Sequence, residues 1–313
     1  MMEYPALEVV PAGRATSGVL LLDKQAGISS QAAVTRVKRL LGIAKAGHTG
    51  TLDPLATGLL PICIGEATKF SHLLLEAEKT YEAGIRLGVV TTTGDREGET
   101  ISVSPVRVDV DAVREVLARF VGEIAQVPPM YSALKHQGQP LYKLAREGIC
   151  VPRAARTVRV RSLELHQLAG DMLHVRIVCG KGTYIRVLAE DVGRALQCGA
   201  SLDNLRRTAV GALNVNDGAT LEMLESLSRE ARARHLLTAD TPVAALPRVD
   251  VEPVQARSLM HGRAFQGNGC VGGGLVRLYD RPSGRFLGVG TRDATGLIVP
   301  RRLMSTPVAA DNA

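Results

Sequence analysis

The chain has 313 residues, enough for about two domains, and its 45% hydrophobic and 22% charged content excludes wholesale disorder. Lysine and arginine outnumber aspartate and glutamate by 38 to 31, so the net charge is +7, which favours a partner held by its phosphates. Aromatic residues make up only 3%, too few for an RNA-binding surface built on many stacking rings.

The first predicted elements are a strand, a helix and an ordered loop. The apolar run at residues 19–22 predicts a buried strand. Ser29 or Ser30 can cap a helix with apolar residues at spacings of three and four, and Gly42 ends it. The polar, glycine-rich stretch at residues 47–58 predicts an ordered loop.

The middle of the chain predicts a mixture of helices and strands. Asp109 or Asp111 can cap a second helix. Residues 157–168 and 172–179 alternate well enough to form a hairpin of two strands, and a further helix follows over residues 185–196.

The last part of the chain predicts a separate, smaller unit. Residues 221–240 resemble a helical linker, and three prolines at residues 242–253 mark a boundary. Beyond it, short strand-like runs at residues 275–279 and 286–289 indicate a small β-rich domain.

The cysteines and the apolar runs indicate in which cellular compartment the protein works. The sequence has no C-x-x-C pair, and its five widely spaced cysteines are Cys63, Cys150, Cys179, Cys198 and Cys270. This pattern predicts a reducing compartment and no structural zinc. No basic stretch precedes an apolar run at the N-terminus, and no apolar run approaches the roughly 20 residues of a membrane span. We therefore expect a cytoplasmic protein that does not bind membranes.

The positive charge is concentrated in two segments. Residues 24–52 carry five basic and no acidic residues, and residues 131–161 carry seven basic residues and one acidic residue. Residues 71–130, in contrast, carry ten acidic and six basic residues. The two basic segments can form one nucleic-acid-binding face if the fold brings them together, but solvated helix faces would have the same composition.

The densest group of unusual residues surrounds Asp53. Pro54 biases the Asp53 backbone towards an extended conformation, and the nearby glycines allow a ligand to approach closely. Asp53 can therefore be a carboxylate presented in a cleft, although an aspartate that bonds its own turn is the commoner role in an isolated Asp-Pro pair. The phosphate-binding pattern G-x-x-x-x-G-K-[ST] does not occur.

The loop lies in a longer string, GHTGTLDPLATGLLPICIGEATKF (residues 47–70), that resembles the signature of the TruB-type tRNA pseudouridine synthases. Four further segments resemble the same family in the same order: VLLLDKQAGISS (19–30), VPPMYSALKHQGQPLYKLAREG (127–148), CGKGTYIRVLAEDVG (179–193) and LRRTAVG (205–211). The resemblance implies isomerisation of uridine 55 in the tRNA T-loop to pseudouridine. It also implies an α+β fold with a mixed-sheet catalytic domain and a small, β-rich, PUA-like C-terminal domain.

The implied reaction is consistent with a single carboxylate. The N1–C1′ bond breaks, the uracil turns and C5 joins C1′, so the reaction involves neither hydrolysis nor net oxidation. One ionised carboxylate can serve as nucleophile or base, whereas glycoside hydrolases generally need two. The resemblance implies that Asp53 is this carboxylate and that no metal or organic cofactor takes part. Attack at C1′, attack at C6 and removal of the C2′ proton all remain open.

The resemblance assigns two further catalytic residues. Arg186 matches the arginine that pairs with the aspartate, and a nearby guanidinium favours an ionised carboxylate. Tyr81 matches the tyrosine that stacks on the target base and takes part in moving the C5 proton. Without the resemblance, Arg186 would be interpreted as a solvent-facing residue of a first helical turn and Tyr81 as an ordinary strand residue.

Five further residues match positions that bind the substrate. Tyr184 and Leu205 match residues lining the base pocket, and His48 matches a residue near the flipped nucleotides. Lys24 and Lys69 match basic positions near the cleft, where they would hold phosphate or support Asp53. An enzyme acting on a base must extrude it from its stack, which costs a few kcal/mol.

The expected organisation is a catalytic domain at residues 1–245 and a PUA-like RNA-binding domain at residues 246–313. Within the first, residues 131–161 are expected to clasp the T-arm of the tRNA partner. We expect a monomer without an obligate protein partner. Two alternatives stay open: an RNA-binding or tRNA-folding protein in which catalysis is secondary, and a glycosylase, against which the lack of an evident second carboxylate argues.

Overall fold

The computed structural model describes residues 17–267 and 272–305, so Cys270 lies outside the described residues. The helices are α1 (Ser30–Leu41), α2 (Ser71–Glu76), α3 (Val110–Arg119), α4 (Leu141–Arg146), α5 (Ile185–Ala195), α6 (Leu221–Ser226), α7 (Arg229–Ala233) and α8 (Pro253–Met260). Short 3-10 helices occupy Gly65–Phe70, Val215–Asp217 and Thr241–Val243. None of the helices in the described ranges is long and apolar enough to span a bilayer.

The strands lie between these helices singly or in runs of two to four. They are β1 (Gly18–Lys24), β2 (Ala46–His48), β3 (Thr57–Ile64), β4 (Lys79–Leu87), β5 (Val89–Thr91), β6 (Thr100–Val103), β7 (Gly122–Gln126), β8 (Lys135–His136), β9 (Gln139–Pro140), β10 (Arg156–Ala169), β11 (Met172–Cys179), β12 (Ala200–Val210), β13 (Leu213–Asn214), β14 (Leu236–Leu237), β15 (Arg248–Val251), β16 (Phe265–Gln266), β17 (Gly274–Asp280), β18 (Phe286–Arg292) and β19 (Leu297–Leu303). The α+β class predicted from the sequence is confirmed.

The first helix begins and ends at the residues predicted. The Ser29 side chain accepts a hydrogen bond from the backbone N–H of Ala32, which satisfies a free donor of the first turn. At the other end Gly42 has a φ of 65°, and its N–H bonds to the carbonyls of Lys38 and Arg39. A side chain is strained in this left-handed conformation, so the glycine ends the helix.

A large mixed sheet forms the centre of the molecule, with the strand order β14-β1-β3-β12-β4-β11-β10-β7. Its two faces bury different residues of the same strand. Leu20 and Leu22 of β1 join the core shared with α1, α3 and α5, whereas Val19 and Leu21 pack into a smaller cluster on the other face. Alternation along a strand sends successive side chains to opposite faces, so β1 is buried on both.

The junction of β3, β4 and β12 positions the residues around Asp53. β12 pairs with β4 along its length but with β3 only where Arg206 and Arg207 face Thr57 and Gly58. A Cβ on Gly58 would lie 2.2 Å from the Arg207 carbonyl oxygen, so this approach requires glycine. The loop predicted at residues 47–58 is shorter in the structure, because β2 and β3 take its two ends.

The C-terminal sheet has the order β15-β17-β18-β19-β16 and its own core, which includes Leu278 and Ile298. It docks on the large sheet through Phe70, whose ring meets Phe286 edge-on with centroids 5.3 Å apart. The segment predicted as a helical linker, residues 221–240, instead contains two short helices and β14, which extends the large sheet by pairing with β1.

Candidate active site

The loop that carries Asp53, residues 49–56, is fixed at several backbone groups. Thr49 N–H bonds to the Pro61 carbonyl at 3.1 Å. The Ser30 hydroxyl, at the start of α1, donates to the Leu52 carbonyl at 2.9 Å and accepts from the Leu52 N–H at 2.8 Å. The Asp53 side chain remains 37% exposed. The loop is therefore rigid at its backbone and presents one accessible carboxylate.

Lys24 lies directly beneath this loop and is completely buried. Its ammonium group donates to the carbonyls of Gln25 at 2.8 Å, Ile28 at 2.9 Å and Pro54 at 3.3 Å. Burial lowers the pKa of Lys24 to about 8, although the Asp53 charge opposes that change. An ammonium group has three donors, and here all three are used. Of the two roles expected for Lys24, this geometry fits support of the Asp53 loop and leaves no donor for phosphate.

Arg186 contacts Asp53 from α5 and is only 4% exposed. Its Nε donates to Asp53 Oδ2 at 2.9 Å. Nη1 donates to the Thr93 carbonyl at 3.0 Å and Nη2 to the Tyr131 carbonyl at 2.7 Å. The rigid guanidinium fork can bond three elements at once, which fixes the direction of the ion pair. The pairing expected from the resemblance is present in the structure.

A second carboxylate, Asp95, lies 3.6 Å from Arg186 Nε and was missed in the sequence. It is 4% exposed, and its Oδ1 accepts from the Thr93 hydroxyl at 2.6 Å and from the Glu97 N–H at 3.1 Å. No second carboxylate beside Asp53 is evident from the sequence, whereas in the structure Asp53 and Asp95 both pair with Arg186. Asp95 is buried and does not line the cavity at Asp53, however, which argues against it as the second reacting group of a glycoside hydrolase. Nothing in the segment TTTGDREGE distinguishes this aspartate from its acidic neighbours.

A cavity of about 420 Å³ opens beside Asp53. This is within the usual size range of small-molecule sites. Its lining includes Asp53, Tyr81, Tyr184, Arg186, Leu205 and Arg207. Five of these six are residues predicted for the site, and the sixth, Arg207, was not predicted.

The two tyrosines reach the cavity from different elements. Tyr81 lies on β4 and is 9% exposed, and burial raises its pKa. Tyr184 precedes α5, where the Gln126 side chain bonds both its N–H, at 3.0 Å, and its carbonyl, at 3.3 Å. Burial also raises the pKa of Tyr184, so both phenols are neutral near pH 7. Leu205 of β12, 8% exposed, completes an apolar wall that suits a flat base.

His48 and Lys69 do not lie in the cavity lining. His48 is half-buried on β2 opposite Ile62, and burial lowers its pKa. The resemblance assigned Lys69 to a basic position near the cleft, and in the structure its ammonium group is bonded to residues outside the cavity lining. Asp53 precedes β3 and Lys69 follows it, and the Lys69 ammonium bonds Glu66 at 2.5 Å and the carbonyl of Leu303 at 3.0 Å. Lys69 therefore joins the two sheets.

The basic segment at residues 131–161 borders the cavity at its start. Residues 131–134 contribute to the lining, and the Tyr131 carbonyl holds Arg186. Lys143 and Arg146 follow on α4 with exposed side chains. The segment therefore extends from the cavity to an exposed cationic surface.

In the described part of the chain, no group of three or more histidine, cysteine, aspartate or glutamate side chains could hold a metal ion.

Comparisons with known proteins show the family of the chain. The family described as "TruB family pseudouridylate synthase (N terminal domain)" matches residues 38–185. Two related C-terminal families, "tRNA pseudouridylate synthase B C-terminal domain" and "Pseudouridine synthase II TruB, C-terminal", match residues 186–246 and 247–304.

Individual relatives match over nearly the whole chain. A tRNA pseudouridine synthase B from Aromatoleum aromaticum is 52% identical over 96% of both chains. Another from Burkholderia pseudomallei is 51% identical over 94% of this chain and 99% of its own. A chain in the crystal structure of a Cbf5-Nop10-Gar1 complex superposes with a TM-score of 0.71 at 26% identity, covering 97% of this chain and 92% of its own.

Proposed function

The chain belongs to the TruB family of pseudouridylate synthases and makes pseudouridine in tRNA, and from that premise we propose that its target is uridine 55 of the T-loop and that Asp53 is the reacting carboxylate. The observation that carries the proposal is that one oxygen of the Asp53 carboxylate is held by an arginine while the other is free to react. Arg186 holds Oδ2 at 2.9 Å. Within the described residues, Oδ1 has no hydrogen-bond partner, and the side chain lines the cavity.

The chemistry places separate demands on Asp53 and Tyr81. Asp53 acts on the ribose or the base, at C1′, at C6 or on the C2′ proton, and Arg186 keeps its charge and direction fixed throughout. After C5 has joined C1′, the C5–H bond breaks and its electron pair restores the ring double bond. Tyr81 stacks on the base and takes part in moving that proton, while N1 gains one from water. Atoms and electrons balance without an added reactant.

Substrate binding is assigned to residues around and beyond the cavity. Tyr184 and Leu205 line the pocket for the extruded base, and His48 lies near the neighbouring nucleotides. Lys24 supports the Asp53 loop through the Pro54 carbonyl. Residues 131–161 bind the T-arm through phosphate contacts, which position RNA without reading its sequence.

The domain organisation follows the same proposal. Residues 1–245 form the catalytic domain, and residues 246–313 form a PUA-like domain that binds RNA. A single chain is sufficient, because Asp53, Tyr81 and Arg186 all reach one cavity from one polypeptide. Light scattering at assay concentration tests this point: a monomer with full activity agrees with it, and activity confined to a dimer contradicts it.

One mapping experiment tests the proposed reaction and its position. Unmodified tRNA transcript is incubated with the enzyme, and pseudouridine is located by carbodiimide-dependent reverse-transcription stops. We expect a stop at position 55, no stop with a transcript carrying cytidine there, and no stop with Asp53→Asn. A stop elsewhere in the transcript would refute uridine 55 as the target. Equal product with Asp53→Asn would refute the role of Asp53 and favour an RNA-binding protein in which catalysis is secondary.

A further inference from the structure

Arg207 is a buried cation in the cavity wall for which the reaction scheme gives no role. It is 1% exposed, the largest of the fully buried side chains. Its Nε donates to the Leu59 carbonyl at 2.7 Å and Nη2 to the Gly50 carbonyl at 3.0 Å. No carboxylate of residues 17–267 and 272–305 lies within ion-pair distance of it. A buried charge without a counter-charge is costly and marks a candidate functional residue.

The position of Arg207 on β12 directs it to Tyr81. The two residues face each other across the β12–β4 pair, and both line the cavity. Residues directly opposite in an antiparallel pair have Cβ atoms about 5 Å apart. The neighbouring Arg206 points to the other face and forms a two-pronged ion pair with Asp23 at 3.0 and 2.7 Å. Of these two adjacent arginines, Arg207 is the one that faces Tyr81 and shares the cavity with it.

The electrostatics of the pocket agree with this arrangement. Burial raises the pKa of Tyr81, and the Arg207 charge is the largest influence that lowers it. The same charge adds to the effect of burial in lowering the pKa values of His48 and Lys79. Arg207 therefore contributes positive potential to the wall of the cavity, and the Tyr81 phenol is the ionisable group that faces it across the β12–β4 pair.

We propose that Arg207 is a positioning residue for the reaction and acts through the Tyr81 hydroxyl. This rests on the proposed part of Tyr81 in moving the C5 proton. The phenol first releases its own proton to water, and the negatively charged oxygen then takes the proton from C5 as the ring double bond forms, so the tyrosine ends neutral. The guanidinium stabilises negative charge on that oxygen during the exchange, at a fixed distance set by its bonds to Leu59 and Gly50.

A double-mutant cycle on kcat tests the coupling. We expect Arg207→Met to lower kcat about ten- to a hundredfold, since acid–base assistance is typically worth about 10²–10⁴-fold, and to change KM less than about twofold. On the Tyr81→Phe background the same substitution should lower kcat no further. An equal loss in both backgrounds would contradict the proposal, because Arg207 would then act only on the structure. Arg207→Lys keeps the positive charge but loses the forked guanidinium group, so its kcat should lie between those of Arg207→Met and wild type.

A titration tests the coupling without activity. Trifluorotyrosine is placed at position 81, where its fluorines lower the phenol pKa into a range that the folded protein tolerates. We expect Arg207→Met to raise this pKa by about one to two units, from the Coulomb energy at about 5 Å in a partly shielded site. Arg206→Met is the matched control and should leave the pKa unchanged.

The outcomes distinguish failure of the proposed role of Arg207 from failure of the proposed role of the Tyr81 hydroxyl. An unshifted phenol pKa in Arg207→Met overturns the coupling, whatever the kinetics show. A wild-type kcat in Tyr81→Phe overturns the proposed role of the Tyr81 hydroxyl, while the titration still reports whether Arg207 controls it. If Arg207→Met does not fold, Arg207→Lys carries the same cycle, and an equal kcat loss in both Tyr81 backgrounds overturns the coupling.

Discussion

From the position of Asp95 we predict how much it contributes to the Arg186–Asp53 ion pair. At 3.6 Å from Arg186 Nε, its carboxylate attracts the guanidinium by about 5 kcal/mol at an effective dielectric constant of about 20. Losing one charged partner of a hydrogen-bonded group usually costs about 1–3 kcal/mol net. If that loss falls on the transition state, Asp95→Asn should slow the reaction about 5- to 150-fold.

The amide cannot reproduce the carboxylate in either orientation. With its oxygen placed to accept from Thr93 and Glu97, the amide N–H₂ points at the Arg186 N–H donor. With the amide reversed, its donors point at the Glu97 N–H instead. Asp95 Oδ1 accepts both of those bonds in the structure. Arg186 should therefore lose its fixed direction, and Asp53 with it.

The assay is single-turnover release of tritium from tRNA labelled at C5 of uridine, since C5 loses its hydrogen when it joins C1′. Glu97→Gln is the matched control, because Glu97 is exposed in the same loop and uses its backbone N–H to hold Asp95. We expect a slowed rate and unchanged tRNA affinity for Asp95→Asn, and wild-type behaviour for the control. A rate within about twofold of wild type would refute the reasoning, as that corresponds to under about 0.5 kcal/mol.

Three further predictions concern docking and RNA binding. Burial raises the pKa of Glu66, but bonds to Lys69 and Ser305 lower it more, to about 2. The stability that ionised Glu66 contributes should therefore be complete above its unfolded pKa of about 4.5 and disappear as pH falls towards 2. The check is to compare the free energies of unfolding of wild type and Glu66→Gln across that pH range. Phe70→Ala should cost about 3–5 kcal/mol in denaturant unfolding, because the buried ring fills the contact between the two sheets; a loss below about 1 kcal/mol would contradict this. Replacing exposed Lys143 and Arg156 by glutamine should weaken tRNA binding. The slope of log affinity against log salt concentration should fall by about 0.7–0.9 for each lost phosphate contact. An unchanged slope would show that the RNA binds elsewhere.

Local signals in the sequence were sufficient for the elements that cap or turn themselves. Ser29 and Gly42 delimit α1 because their side-chain and backbone geometries act within one turn. The β10–β11 hairpin has Ala169 opposite Met172, as its alternating pattern and short turn predicted. These interactions span few residues, so one sequence contains all the information they need.

The site residues required the resemblance, because their partners are distant along the chain. Asp53 and Arg186 are 133 residues apart, and no periodicity relates them. The resemblance named residues but not their surroundings, so it suggested that Lys69 lies near the cleft although Lys69 joins the two sheets. Asp95 and Arg207 were missed because the residues they face, Arg186 and Tyr81, are distant along the chain. Only the fold brings these side chains together.

The most direct measurement of the central claim compares binding and catalysis by Asp53→Asn in one sample of unmodified tRNA. Phosphate contacts supply most of the affinity, so the variant should bind tRNA within about threefold of wild type. It should form no pseudouridine in the time that wild type converts all of position 55. Pseudouridine formed by the variant at the wild-type rate would contradict the assignment of Asp53 as the reacting carboxylate.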